Sequence, residues 1–211
     1  MPTFSMNDLQ KGDIILTAGS TVTSLGIQFG SFSKYSHAML YIGGSLIIEA
    51  VGDADGGVRQ MPLNKAIHGT FRSDVFRHNE MNSRKADAII NLAKSIRGKA
   101  TKGANGKEEK VIKSQGAKYD TRGVIGAATC TPGAKALGLS SPFGIGSAPM
   151  TATCEAAKLG LFDDKKKYFC SELIYYVYRA FGLTISGHAD YMSTPKSIAY
   201  SQRLKQVGAL K

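Results

Sequence analysis

Gly43-Gly44 constrains this chain more than any other feature: it is a two-residue hairpin signal between two strand-like runs, His37 to Ile42 and Ser45 to Ala50. An antiparallel pair near the front of the chain follows from it, and the neighbouring segments extend the pattern. Lys11-Gly12-Asp13 is a turn leading into Ile14-Ile15-Leu16-Thr17, a short buried-strand run. Asp53-Ala54-Asp55-Gly56-Gly57 is a turn before a fourth run, Val58 to Leu63, and Ser73 to His78 adds a fifth. Residues 18–35 are rich in Gly, Ser and Thr and read as loop, with one helical turn around Val22 to Phe29.

The period then changes. Ser83 to Lys99 reads as a helix, with Ser83 as its cap, an apolar stripe of Ile89, Leu92, Ala93 and Ile96, and Gly98 near its end. Ser171 to Phe181 is the clearest helix in the chain: Leu173, Ile174, Val177, Tyr178 and Phe181 share one face, and Gly182 supplies the C′ residue. Thr194-Pro195 predicts a final short helix, because proline suits a first helical position. Between the two long helices, residues 100–118 are polar and Lys-rich. The stretch from Gly123 to Gly160 carries only Lys135, Glu155 and Lys158 as charges and reads as an irregular insertion.

With 211 residues and 43% hydrophobic content, one domain over 1–211 with a full core is expected. No apolar run reaches the roughly 20 residues that span a bilayer, and Met1 to Gln10 lacks the pattern of a secretory signal peptide. The formal charge of +11 is concentrated in part at residues 83–118, which hold ten Lys or Arg against Asp87, Glu108 and Glu109. Such a face attracts nucleic acid, anionic lipid or an acidic wall polymer, or is simply a solvated surface. No helix-turn-helix, RNP or zinc-finger pattern accompanies it, so nucleic acid is the weakest of these partners. Cys130, Cys154 and Cys170 fit no zinc template and no disulfide framework. One functional thiol beside two buried cysteines is the simplest account, with a Cys130–Cys154 bridge left open, and no metal or cofactor is expected.

Three residues are placed for chemistry. Cys170 opens the clearest helix, at its N-cap or N1 position, where the dipole and free N–H groups favour a thiolate and can hold an oxyanion. His37 opens a strand after a Ser/Lys/Tyr loop, and a histidine distant in sequence is the usual base for such a thiol. His68, His78 and His188 sit in polar loop contexts without a matching element. Glu49 interrupts an apolar run, and a hairpin turning at Gly43-Gly44 places it close to opposite His37, where a carboxylate orients an imidazole. A packing role for Cys170 beside Phe169, a structural histidine, and a solvent-reaching glutamate at the strand end stand open as the plain alternatives.

Phe169-Cys170-Ser171-Glu172-Leu173-Ile174-Tyr175-Tyr176-Val177-Tyr178, followed by Phe181-Gly182-Leu183, resembles the nucleophile helix of NlpC-type cysteine peptidases. Gly12-Asp13-Ile14-Ile15, Ser36-His37-Ala38-Met39-Leu40-Tyr41-Ile42-Gly43 and Ile47-Ile48-Glu49-Ala50 resemble their sheet motifs. The sheet precedes the cysteine helix here, which is the circularly permuted order of the YiiX-like and lecithin:retinol acyltransferase-like branches. The resemblance covers roughly half of the chain and leaves about 100–165 unassigned. It implies an α+β, permuted papain-like fold whose antiparallel sheet packs against the nucleophile helix. It also implies Cys170 as nucleophile, His37 as base and Glu49 as the third polar residue, a place where many relatives have histidine.

The expected chemistry is hydrolysis of an amide, first of all in peptidoglycan stem peptides, whose anionic polymers agree with the basic surface. A basic wall hydrolase without a signal peptide suits an antibacterial effector delivered to a target periplasm by a type VI-like route, with secretion machinery and an immunity protein as partners. The rivals are a lipid-directed acyl hydrolase or acyltransferase, with 123–160 touching membrane, and a non-catalytic module that binds a peptide or amino acid. A cytoplasmic site of action is the alternative location.

Overall fold

A computed structural model describes residues 4–19, 33–52, 57–97, 118–119, 167–187 and 193–210. The expected helical turn at 22–29, the insertion at 100–165 apart from 118–119, the 123–160 membrane contact, Gly98, Cys130, Cys154 and His188 lie outside the described residues.

The front of the chain is strands, as its turns require. β1 (Ile14–Gly19), β2 (His37–Gly43), β3 (Leu46–Ala50), β4 (Val58–Pro62), β5 (Thr70–His78) and β8 (Leu204–Leu210) form one antiparallel sheet in the order β4-β3-β2-β1-β5-β8. A short parallel pair, β6 (Lys118–Tyr119) with β7 (Lys167–Tyr168), stands apart from it. The helices are α1 (Leu63–Ala66), α2 (Ser83–Arg97), α3 (Cys170–Arg179) and α4 (Pro195–Ala199), and a 3-10 turn covers Met6–Asp8. Among the described residues no helix is long and apolar enough to cross a membrane.

Both faces of the sheet are covered, so the central strands are apolar throughout rather than alternating. On one face Leu16, Ala38, Leu40, Ile48 and Phe76 meet Ile89, Ile90 and Ala93 of α2 and Leu173, Ile174, Val177 and Tyr178 of α3. On the other, Ile15, Met39, Ile47 and Val75 meet Leu63 of α1, with Phe4 and Leu9 packed against them. Leu173, Ile174, Val177 and Tyr178 are fully buried, each worth about 1.5–3 kcal/mol over exposure. This contact pins α3, and therefore Cys170 at its first residue, against β2 and β3.

Several expectations shift by a residue or a face. The hairpin loop is Gly44-Ser45, both with positive φ (60° and 59°), because Gly43 pairs with Leu46 as the last ladder residue. Two consecutive positive-φ residues form the turn whose twist matches the strands. With a register shift between Tyr41 and Gly43, Glu49 then faces Met39 rather than His37. Asn82, not Ser83, caps α2: its Oδ1 accepts from Lys85 N at 2.9 Å. The buried stripe of α2 is Ala86, Ile89, Ile90, Ala93 and Arg97, and Leu92 and Ile96 are only partly buried. Phe181 lies past the end of α3 and is 38% exposed, so it is not on the helix's buried face. His78 is not a loop residue: it ends β5, is buried, and its Nδ1 accepts from Glu80 N at 3.1 Å. β8 and α1 had no counterpart among the expected elements. Thr194 caps α4 with Pro195 at its first turn, as the Thr-Pro pair predicts.

Candidate active site

The site is assembled at one end of the sheet. β2 begins at His37, and the N-terminus of α3 lies over the β2–β3 side, with Phe169 as N-cap and Cys170 as the first helical residue. Glu172, at the third position, accepts from Phe169 N at 3.2 Å and closes that helix start. Ser171 is fully buried and donates from Oγ to Ser193 O at 3.2 Å, tying the helix start to the segment that leads into α4.

Cys170, His37 and Glu49 converge, although they come from three elements. His37 Nε2 is 2.6 Å from Glu49 Oε2, and the same ring lies close enough to the Cys170 side chain for each to shift the other's pKa. With Nε2 committed to the carboxylate, Nδ1 is the nitrogen left for the sulfur. The reach from β3 is diagonal, one ladder step beyond the Met39–Glu49 pair, a distance that a long side chain spans. Cys170 is 5% and Glu49 3% exposed, while the His37 side chain keeps 24% of its surface. The reactive atoms are thus mostly sheltered, and the imidazole is the part in touch with solvent.

The protonation states follow from these contacts. Burial opposes charge on His37, but the hydrogen bonds to Cys170 and Glu49, and the charges behind them, push its pKa up to about 10. Burial likewise opposes a Cys170 thiolate. The hydrogen bond and positive charge of His37 outweigh it, aided by the backbone N–H groups of Ala38 and Ser171, and the thiol pKa is lowered. Glu49 is held below the usual carboxylate range: burial raises it, and His37 followed by Arg59 brings it down. Each side chain therefore favours the charged form of the other, thiolate beside imidazolium, and the carboxylate behind the ring is held toward its ionised form.

Two contributors escaped the sequence reading. Arg59 donates from Nε to Glu49 Oε1 at 2.8 Å and is the Cα partner of Glu49 across the β3–β4 ladder. Its signal was present: a turn at 53–57 that pairs β3 with β4 sets a basic residue against the lone acid of β3. Ala38, whose N–H faces the sulfur, has no side-chain signal at all, since its part is played by backbone. His68 lies exposed on another part of the surface and His78 is buried against Thr184 O, so neither competes with His37.

Further along the same sheet end lies a second polar cluster. Tyr35 donates its hydroxyl to Asp74, and Arg72 donates from Nε to the same carboxylate oxygen at 2.5 Å, with its guanidinium over the Tyr35 ring at 5.8 Å. Burial and then Asp74 push Tyr35 up to about 12, so it remains a phenol and a donor.

No protein-family model matches this sequence. A stretch of 90 residues, 43% of the chain, is 31% identical to the probable lipoprotein peptidase YaeF of Escherichia coli K12, and it spans 32% of that protein's length. Among solved structures, the fold is similar to metalloprotein YiiX of Escherichia coli O157:H7, with a TM-score of 0.58 and 15% identity over 94% of this chain and 96% of that one. The chain therefore has an α+β fold of the YiiX kind, with a six-stranded antiparallel sheet, and sequence similarity to a probable peptidase over part of its length. YiiX is described as a metalloprotein; among the described residues here, no three His, Cys, Asp or Glu side chains are grouped to hold a metal ion.

Proposed function

We propose that the protein is a cysteine hydrolase of the permuted NlpC-type, papain-like kind, with Cys170 as nucleophile, His37 as base and acid, and Glu49 as the residue that orients the ring. One observation carries this reading: Cys170, at a helix N-terminus, lies close enough to His37 for each to shift the other's pKa, and His37 is in turn hydrogen-bonded to Glu49, which holds Arg59. Buried ion pairs that serve only packing have no need of a thiol at one end and a part-exposed imidazole in the middle.

In the reaction, the Cys170 thiolate attacks an amide carbonyl carbon, and a C–S bond forms as the carbonyl π electrons move to oxygen. N–H groups at the start of α3 are suited to hold that oxyanion. Its collapse breaks the C–N bond while imidazolium His37 gives its proton to the leaving nitrogen. Neutral His37 then takes a proton from water, whose oxygen attacks the thioester carbonyl. As the carbonyl re-forms, the C–S bond breaks, the acid leaves, and thiolate and imidazolium are restored. Glu49 holds the ring in the tautomer and orientation that this exchange needs, and stabilises its charged form.

The substrate class we assign is an amide bond of peptidoglycan stem peptides. The formal charge of +11 supports it, since envelope polymers are anionic, as does the partial similarity to a probable lipoprotein peptidase. Action in the envelope of a target bacterium, after delivery of a type VI-like kind and with an immunity protein in the producer, is the biological setting that we attach to this chemistry. The test is mass spectrometry of purified peptidoglycan after incubation with the protein. A defined stem-peptide fragment, absent with Cys170→Ala and retained with Cys130→Ala and Cys154→Ala, is expected. Intact murein beside fatty acid released from vesicles would replace this substrate with a lipid. Expression confined to the cytoplasm should be harmless and export to the periplasm lethal; equal toxicity in both would refute the envelope setting.

A further inference from the structure

The end of the sheet that carries His37 continues, across β1, into a pocket of about 410 Å³ around the start of β5. The ladder fixes its place: His37 pairs with Thr17, Thr17 with Ser73, and Ser73, which lines the pocket, with Leu210. Two strand spacings of about 4.8 Å therefore separate the backbone of His37 from that wall.

The lining is selective in its chemistry. Its polar side chains are Arg72, His68, Asn64 and the hydroxyls of Thr70 and Ser73, with no carboxylate among them. Phe71, 65% exposed, stands beside them with Ile67 and Leu210 as apolar wall. A second pocket, of about 500 Å³, lies at the other end of β2 near Ile42 and Gly43; Lys11, Lys94 and Asp87 line it, and Asp87 is ion-paired to Lys11 at 2.9 Å. The first pocket has no carboxylate in its lining; the partner of Arg72, Asp74, stands outside that lining at 2.5 Å.

Arg72 is also built to stay where it is. Asp74, 1% exposed, takes its Nε, and the Tyr35 ring lies beneath the guanidinium. Such a clasp uses one edge of the planar group and leaves the Nη edge for a bidentate partner. Arg77 shows the contrast: both its Nε and its Nη2 are spent on Asp13, and Nη2 also meets Asp8 O. The Arg72 side chain keeps 42% of its surface; that of Arg77 keeps 18%.

We propose that this pocket is a substrate subsite that takes a carboxylate-bearing part of the peptide undergoing cleavage at Cys170, with Arg72 as its anchor and Phe71 packing on the attached apolar atoms. The proposal rests on the hydrolase reading above and adds to it a specificity: the carboxylate lies on the order of 10–15 Å from the reacting carbonyl, two to three strand spacings.

The test reads alkylation of Cys170 rather than turnover. Iodoacetylated amino acids of graded length, iodoacetylglycine, iodoacetyl-γ-aminobutyrate and iodoacetyl-ε-aminocaproate, are compared with their carboxamides, and Cys170 is followed by peptide mass. Imidazolium His37 favours the anionic reagent at every length. Beyond that, one of the longer carboxylates should gain about three- to fivefold over its amide, the size expected of a half-exposed ion pair. Arg72→Gln should remove this length-dependent gain, and Arg72→Lys should keep part of it. Asn64→Asp, at an exposed position where folding is not at stake, should remove it by repulsion. A gain that survives both Arg72→Gln and Asn64→Asp, or no gain in the unaltered protein, overturns the proposal. So does stronger protection of Cys170 by phosphatidylglycerol vesicles than by peptides with a free C-terminal carboxylate, which would give the pocket to lipid. Murein left uncut while the gain persists would sink the peptidoglycan reading and leave the subsite standing; cut murein without the gain would do the reverse.

Discussion

Two buried carboxylates in this protein hold an arginine in nearly the same way and do opposite things with it. Asp13, wholly buried, takes Arg77 through both Nε and Nη2 at 2.7 Å, and its remaining capacity accepts Gln10 N at 2.8 Å. Glu49, 3% exposed, takes Arg59 through Nε at 2.8 Å on one oxygen and offers the other to His37. The first arrangement is closed: every acceptor is met by a donor that never changes its proton count. It fixes the turn at Gly12, where φ is +84° and a side-chain carbon would meet Met81 Cε at 3.0 Å, onto β5. The second is open at one end, because the imidazole it holds can gain or lose a proton and touches a sulfur. A buried acid is structural or functional according to whether its partners can titrate.

The largest effects should separate the two regions cleanly. Cys170→Ala and His37→Ala are each expected to lower hydrolysis by about a thousandfold or more, and the double variant no further, because the pair acts as a unit. Their melting temperatures should stay close to that of the unaltered protein. Asp13→Ala should do the converse. Stripping one partner from a buried pair costs about 3–5 kcal/mol, so thermal unfolding should drop by many degrees, while the folded fraction alkylates Cys170 at the normal rate. Loss of turnover in a fully folded Asp13→Ala protein would show that the two clusters are not separate.

What the sequence made legible follows the same division. The strands from Ile14 to His78, α2 and α3 were readable because turns and apolar periods are local properties. Cys170, His37 and Glu49 could be picked out because each sits at odds with its local surroundings: a thiol at a helix start, an imidazole at a strand start, an acid among Leu46, Ile47 and Ile48. Register was not legible. A loop of Gly44-Ser45 instead of Gly43-Gly44, together with the irregularity before Gly43, moves Glu49 from opposite His37 to a diagonal place. The Cys170–His37 contact and β8 as a partner for β5 are long-range facts, set by packing between segments far apart in the chain. Arg59 was hidden for the same reason, since its meaning depends on which strand β4 pairs with. The roles proposed for the three site residues rest on the contacts themselves and await the substitutions above.

Glu49→Gln should fall between the extremes, at about 10- to 100-fold slower hydrolysis. The amide can still accept a hydrogen bond from the ring, but it no longer offsets the imidazolium charge, which is the part a charge-assisted bond adds. The pH profile gives the sign. Cys170 has a lowered pKa and His37 a raised one, so the pH range of the active ion pair is widened at both ends. Rates should fall on the acid side as the thiolate takes a proton, and on the alkaline side as His37 loses its own near about 10. In Glu49→Gln the ring loses its anion, its pKa drops, and the alkaline limb should move to lower pH. An alkaline limb that stays in place would mean that Glu49 only fills space.

Arg59→Gln should give the smallest and most specific change. At neutral pH the change should be small, because His37 comes ahead of Arg59 among the groups that lower the Glu49 pKa. The loss there should be a few-fold, the cost of a less well-held carboxylate. Below neutrality the two proteins should diverge. With the arginine gone, Glu49 takes up a proton at higher pH than before, and the imidazolium then loses its counter-charge while the thiolate is itself being protonated. The acid limb of Cys170 alkylation should therefore move to higher pH in Arg59→Gln, while the alkaline limb stays. Arg59→Lys, which restores the charge but not the guanidinium fork, should return the acid limb most of the way. Equal shifts of both limbs, or none, would reduce Arg59 to the kind of role Arg77 has beside Asp13, and the contrast between the two carboxylates would then rest on His37 alone.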